Sequence, residues 1–178
     1  MITAHVFIAI SLDGFIARAD GDIGWLLERD DPAEDHGYAA FIADKDMIVM
    51  GRGSYEKVLT FDPWPYDLPV LVLSEQLADA PVPEALKGKV RFSNHTPKNV
   101  IEKLAEENVR QIYVDGGLLV QSFLREGLIS DMVITTVPVL IGSGKPLFGA
   151  LAQDIDLRLV SSRSFPSGLV QSTYRVAP

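Results

Sequence analysis

Ile48-Val49-Met50-Gly51-Arg52-Gly53-Ser54-Tyr55-Glu56 is the stretch from which the rest of the chain can be read. An apolar run ends at a glycine, an arginine and a second glycine follow, and a hydroxyl residue opens a short helical pattern through Leu59. The order strand, tight turn, helix start puts free backbone N–H groups and the positive end of a helix dipole at the strand's carboxyl end. That arrangement suits a phosphate. Gly51 lets the backbone approach a ligand closely, Gly53 permits an unusual φ, and Arg52 offers a charged fork to phosphate oxygens. A plain strand-to-helix turn, with Ser54 as N-cap and a solvated Arg52, accounts for the same residues. A second turn of this kind elsewhere would separate the two readings.

Upstream, Val6 to Ile10 is continuously apolar and reads as a strand buried on both faces, central in a sheet. Ser11-Leu12-Asp13-Gly14 is a turn, Phe15-Ile16-Ala17 resumes briefly, and the loop Ala19 to Gly24 delivers Trp25 and an acidic run from Glu28 to Asp31. Asp31 as N-cap and Pro32 as first helical residue predict a helix to about Ala43, weakened by Gly37. Asp46 to Met50 is the strand of the opening motif.

Downstream, Phe61-Asp62-Pro63-Trp64-Pro65 is an aromatic loop that its prolines keep out of regular structure. Pro69 to Leu73 and Val90 to Phe92 read as strands. Thr96 caps a helix with Pro97 at its first position, and Val100, Ile101, Leu104 and Ala105 share one face. Arg110 to Val114 is a strand leading into Asp115-Gly116-Gly117. Leu118 to Glu126 is a helix stopped by Gly127, and Asp131 to Leu140 is long and β-branched. Ile155 to Ser164 and Leu169 to Val176 form an antiparallel hairpin around Phe165-Pro166-Ser167-Gly168. Strands alternate with helices over the first two-thirds. The 178 residues therefore read as one α/β domain with a central, mostly parallel sheet, an antiparallel C-terminal hairpin and flanking helices.

Composition narrows the function. A net charge of −8 and a pI near 4.8 argue against a nucleic-acid surface or an anionic-membrane patch, while leaving room for a local basic pocket that takes an anionic cofactor. The chain has no cysteine, which removes thiolate nucleophiles, disulfides and cysteine metal sites. His5, His36 and His95 do not cluster at ligand spacing, so no metal site is expected. With no basic leader and no apolar run of membrane-spanning length, a cytoplasmic protein is the default.

Asp115-Gly116-Gly117 supplies the second turn. In an open α/β sheet, ligands lie beyond the carboxyl ends of the parallel strands. Met50-Gly51-Arg52, Asp115-Gly116-Gly117 and Ser74 would share that edge, and three such strand ends point to a dinucleotide rather than a monophosphate. Neither a G-x-G-x-x-G nor a Walker sequence is present. Three unrelated turns, each needing glycine for its own geometry, remain the other account.

Ser11-Leu12-Asp13-Gly14-Phe15-Ile16-Ala17, the opening stretch, Leu71-Val72-Leu73-Ser74 and Val114-Asp115-Gly116-Gly117 occur in the order and spacing of the dihydrofolate-reductase-like superfamily. The Ser-Leu-Asp-Gly turn and Val139 to Phe148 most resemble its branch typified by the reductase domain of bacterial riboflavin biosynthesis. The resemblance implies that superfamily's three-layer fold and NADPH as hydride donor. Gly51, Arg52, Gly53 and Ser54 would hold the cofactor's phosphates and adenosine ribose, with Leu73 and Ser74 along the adenosine half. Gly116 and Gly117 would approach the pyrophosphate, often through a cis peptide in such proteins. Leu118, Leu119 and Val120 would continue that wall, and Ala9, Ile10 and Ile16 would flank the nicotinamide. The branch also implies a homodimer built on the long strand and the hairpin. Two departures stand out. Glu75 occupies a position where a hydroxyl often serves the adenosine 2′-phosphate, which leaves NADH or a flavin as alternatives. The lysine that precedes the Ser-Leu-Asp-Gly turn in the longer deaminase/reductases is absent, which weighs against a phosphorylated pyrimidine.

Hydride transfer leaves the protein to position two rings and to supply a proton. Asp30, five residues after Trp25, has the offset of a dihydrofolate reductase's catalytic carboxylate, and burial beside aromatics would raise its pKa. The competing account, of a solvated charge run from Glu28 to Asp31 with Asp31 capping a helix, weighs more for most of these residues. Asp13 is the other catalytic candidate, against the reading of Asp-Gly as a common turn pair. Trp25 could stack on a planar substrate or staple its loop to the core. Thr135 could face the substrate or be an ordinary strand residue. The expectation is an NADPH-dependent reductase of a small pterin-like or aminopyrimidine-like heterocycle. The alternative is a nucleotide-binding protein without chemistry.

Overall fold

The computed structural model describes residues 1–177. Six strands run parallel: β1 (Thr3–Ser11), β3 (Met47–Gly51), β4 (Val70–Leu73), β5 (Val90–Ser93), β6 (Gln111–Asp115) and β7 (Ile129–Val137). β9 (Leu157–Ser164) and β10 (Val170–Val176) form the antiparallel hairpin, and β10 pairs with β7. The eight strands lie in the order β5-β4-β3-β6-β1-β7-β10-β9. β2 (Phe15–Ala17) and β8 (Lys145–Pro146) form a separate two-stranded antiparallel sheet. The helices are α1 (Gly24–Leu27), α2 (Tyr38–Ile42), α3 (Arg52–Val58), α4 (Pro97–Glu106) and α5 (Gly117–Arg125).

The strand period assigns the two faces of the sheet. In β3, Met47 and Val49 face a core shared with Val100 and Leu104 of α4 and with Phe123 of α5, while Ile48 and Met50 face a second core with Tyr55 of α3 and Val70 and Val72 of β4. All four β3 residues are buried, as a parallel strand covered on both sides requires. α4 starts as its sequence predicts: Thr96 Oγ1 accepts from the Asn99 N–H at 3.4 Å, with Pro97 in the first turn. α5 stops at Gly127, whose φ of +65° suits glycine.

Three local expectations are corrected. The helix predicted from Pro32 begins only at Tyr38. Asp31 Oδ1 accepts from the Ala33 N–H at 2.9 Å and Asp35 Oδ1 from the Gly37 N–H at 2.7 Å, so side-chain turns take the amides a helix would need. Ser54 is not an N-cap. α3 begins two residues earlier, at Arg52, with extended Gly51 as its cap, and Gly53 is helical rather than unusual in φ. The carboxyl half of β1 is not buried on both faces, because Phe7, Ile8 and Ala9 open onto a cavity. The β2–β8 sheet was not foreseen, since neither segment is long enough to show a period. Among the described residues, no helix is long and apolar enough to cross a membrane.

Candidate functional site

A cavity of about 880 Å³ lies at the carboxyl ends of the parallel strands. Its floor is the paired ends of β3 and β6, where Met50 is in register with Asp115. Gly116 has φ +99°, and a Cβ there would fall 2.7 Å from Ser54 Oγ. A Cβ on Gly117 would fall 2.6 Å from the Pro146 carbonyl oxygen and 3.1 Å from Ile16 Cδ1. Both positions therefore require glycine, which brings the starts of α3 and α5 and the β2–β8 sheet together around one space.

The donors of this floor are main-chain amides. The helical ladder of α5 opens with the Val120 N–H donating to the Gly116 carbonyl at 2.9 Å, leaving the amides of Gly117, Leu118 and Leu119 outside the ladder. The first amides of α3 are left free in the same way. Three cations line the cavity: Arg52, Lys57 and Lys145. Arg52 donates to Glu56 Oε1 at 2.9 Å, whereas Lys57 and Lys145 have no ion-pair partner among the described residues.

Phe7, Ile23, Leu26, Phe61, Tyr66 and Tyr113 add an apolar and aromatic lining, and Asp115 lines the same cavity. Burial pushes its carboxyl upward from the ordinary range, and the hydroxyls of Ser54 and Tyr113 and the Gly116 N–H oppose that shift. The Tyr113 hydroxyl is 2.9 Å from the Phe7 carbonyl oxygen and 3.2 Å from Asp115 Oδ1. Burial, reinforced by the Asp115 charge, raises the phenols of Tyr38, Tyr66 and Tyr113, which keeps them as protonated donors. The site thus combines a glycine floor bordered by free main-chain amides and cations with apolar and aromatic side chains and one carboxyl group whose pKa burial raises.

Of the residues singled out in the sequence, Ala9, Ile16, Gly51, Arg52, Gly53, Ser54, Leu73, Gly116, Gly117, Leu118 and Leu119 are brought together here. Ile10, Ser74 and Val120 are not. Ile10 packs against the core, Ser74 Oγ accepts from the Leu77 N–H at 3.3 Å and closes the turn after β4, and Val120, in α5, is fully buried in the core. The Gly116–Gly117 peptide is trans, the one cis bond among the described residues being Asp62–Pro63. Glu75 is an exposed turn residue outside the cavity.

None of the four chemistry and substrate candidates lines the cavity. Asp13 clamps a turn: its carboxylate accepts from Ser11 Oγ at 2.6 Å and from the Ile141 and Gly142 amides at 3.1 and 2.7 Å. The Ser11 hydroxyl, with those amides, holds its pKa below the usual carboxylate range. Asp30 is exposed, with Oδ1 3.5 Å from His36 Nδ1, so the burial that would make it an acid is absent. Trp25 is 3% exposed and packs on Val137 and Leu169, stapling its loop to the core. Thr135 is buried where β7 meets β10, its Oγ1 accepting from Gln171 Nε2 at 3.0 Å. Asp115 and Lys145 went unassigned in the sequence. The signal for Asp115 was an acid set directly after the apolar run Ile112 to Val114 and before two glycines. Lys145 carries no such signal, since its place depends on the fold returning β8 to the cleft.

A mostly parallel α/β sheet with this cleft at its strand ends defines a dihydrofolate-reductase-like protein. The chain belongs to the RibD C-terminal domain family, whose profile matches residues 3–171. The Bacillus subtilis (strain 168) proteins YwjB and YyaP, both uncharacterized, are 35% identical over 162 residues (90% of each chain) and 31% identical over 175 residues (94% of this chain, 91% of that one). A crystal structure of a Shewanella sp. PV-4 protein, provisionally named for riboflavin biosynthesis, superposes with a TM-score of 0.93 at 38% identity, covering 99% of this chain and 100% of that one. Dihydrofolate reductase from Enterococcus faecalis, solved with NADP(H), shares the fold at a TM-score of 0.65 and 11% identity, covering 99% of this chain and 97% of that one.

Proposed function

We propose that this chain is an NADPH-dependent reductase of a small planar heterocycle, of the kind reduced in riboflavin biosynthesis or a pterin-type ring. The observation that carries the reading is the joint floor of Gly51 and Gly116-Gly117, where two helix starts, three cations, aromatic side chains and Asp115 line one cavity. The residues present fit a dinucleotide: the glycines let the starts of α3 and α5 and the β2–β8 sheet close around one cavity, and the free amides match phosphate oxygens. When bound, the nicotinamide supplies the hydride. The chain's own part is to hold the phosphates on the amides of α3 and α5, to flank the reacting rings with Ala9 and Ile16, and to exclude water with Phe7, Phe61 and Tyr66. Asp115, next to Tyr113, is the carboxyl group placed to deliver a proton to the heterocycle. Glu75 is an exposed residue of the turn after β4 and does not line the cavity.

NADPH should raise the melting temperature, and Arg52→Ala should remove most of that shift. No shift with millimolar NADPH or NADH would sink the reading. FMN and FAD in the same assay distinguish a flavin-linked reductase.

A cytoplasmic homodimer completes the proposal. β9 ends the sheet with β10 as its sole neighbour, and Leu157, Leu159 and Val160 are exposed on it. Sedimentation should show two copies at micromolar concentration, and a strict monomer would refute the assembly.

A further inference from the structure

We propose that Lys145 is the cation that binds the phosphate linkage in the middle of the nucleotide, and that it thereby ties the β2–β8 sheet to α3 across the cleft. The inference rests on the nucleotide reading above and adds a residue from an element outside the two glycine turns.

The backbone around Lys145 is fixed. Ala17 pairs with Lys145 in the small sheet, and Gln121 Nε2 donates to the carbonyls of Pro146 and Leu147 at 3.2 and 3.3 Å. The Leu147 N–H donates to the Gly14 carbonyl at 3.0 Å, and the Leu147 side chain is fully buried. The ammonium, by contrast, has no ion-pair partner among the described residues, in a chain with 24 acidic and 16 basic residues. It lies 3.6 Å from where a Cβ on Gly21 would sit and 3.9 Å from where one on Gly53 would sit. Glycine on both sides leaves it room. It therefore lies beside Gly53, in the first turn of α3, and beside Gly21, in the loop after β2.

Arg52, the cation the sequence offered, is already engaged by Glu56 at 2.9 Å. Lys145 is free, and it stands over the region between the starts of α3 and α5 rather than at the β4 end, where Leu73 lines the cavity. That position assigns it to the linkage common to all dinucleotides, not to a terminal phosphate. A compact ammonium suits such a point contact better than a guanidinium fork.

The test is calorimetric binding of NADPH and NADH to Lys145→Met, Lys145→Arg, Arg52→Ala and a control, Lys89→Met, on the far end of the sheet. Losing one charge-assisted contact should weaken both nucleotides in K145M by the same factor, roughly tenfold. K145R should recover part of the affinity and K89M should match wild type. The salt dependence of binding should fall in K145M, and nucleotide should protect the β2–β8 amides from exchange in wild type but not in K145M. If wild type binds both nucleotides and K145M binds them equally well, the assignment of Lys145 fails while the nucleotide reading stands. If K145M loses NADPH affinity with NADH unchanged, Lys145 serves the 2′-phosphate and the linkage assignment is overturned. If wild type binds neither, the nucleotide reading fails and takes this one with it.

Discussion

Ser54 Oγ lies 2.7 Å from the point a Cβ on Gly116 would occupy, so α3 and the end of β6 touch through the absence of a side chain. The contact joins the two glycine turns into one floor. Gly116→Ala forces a φ of +99° on an alanine, about 1–3 kcal/mol on its own, before the clash with Ser54 is counted. Chemical denaturation should show at least that loss. The melting shift with NADPH should vanish even where the variant remains folded, because the floor has moved.

Asp115 makes a prediction with a definite sign. Its carboxyl is raised in the folded state, chiefly by burial, so the proton is bound more tightly folded than unfolded. The stability this provides is present at low pH, below the unfolded carboxylate range, and is lost as pH rises through the raised value. Asp115→Asn keeps an acceptor for Tyr113 and Ser54 but never carries the buried charge. Its melting temperature should exceed that of wild type near pH 8, with the gap closing towards pH 4. Turnover of any substrate should collapse while nucleotide binding survives. Equal pH profiles for the two proteins would show that Asp115 is not held in its raised state.

Asp13 titrates in the opposite direction. The Ser11 hydroxyl and the Ile141 and Gly142 amides depress its pKa, so its clamp holds above the ordinary carboxylate range and is lost as pH falls through the lowered value. In Asp13→Ala, the Ile141 and Gly142 amides should exchange faster at neutral pH, as those of wild type should in acid. Hydrogen exchange reads this directly. Unchanged protection of both amides would contradict the clamp.

Trp25 tests packing against stacking. At 3% exposure against Val137 and Leu169, Trp25→Ala should cost about 3–5 kcal/mol. Its indole Nε1 has no hydrogen-bond partner among the described residues, so Trp25→Phe removes an unsatisfied donor and should cost less than about 1.5 kcal/mol. Thermal denaturation measures both. Substrate affinity should be unchanged in W25F, since the ring does not reach the cavity.

Thr135→Val removes the acceptor of Gln171 Nε2, which still donates to the His36 carbonyl at 3.0 Å. The loss should be about 1 kcal/mol in urea denaturation, with the Michaelis constant unchanged. A large rise in that constant would return Thr135 to the substrate.

Much of the fold was legible because its signals are local. The Thr96-Pro97 start of α4, the Gly127 stop of α5, the hairpin around Phe165 to Gly168 and the apolar strands before Gly51 and Gly116 each announce themselves within a few residues. Helix 32–43 misled because Asp31 and Asp35 compete for amides a propensity reading assigns to the helix. The glycine floor of the cavity was legible for the same local reason: glycines beside helix starts have one geometry that matters. The chemical half was not. Asp13, Asp30, Trp25 and Thr135 carry the right functional groups, but what each faces is set by the tertiary fold, as by Gly142, 129 positions from Asp13, or Gln171, 36 positions from Thr135.

The sequence by itself determined most of the order of strands and helices and the glycine-lined edge, because backbone sterics and hydrophobic period act over a few residues. Only the tertiary structure decided which charges meet there. Whether a carboxylate clamps a turn, as Asp13 does, or sits beside a phenol in a half-buried cleft, as Asp115 does, depends on desolvation and on neighbours supplied by other strands. The placement of Lys145 opposite Gly53 depends likewise on the chain returning, more than ninety residues later, to cover its own opening motif.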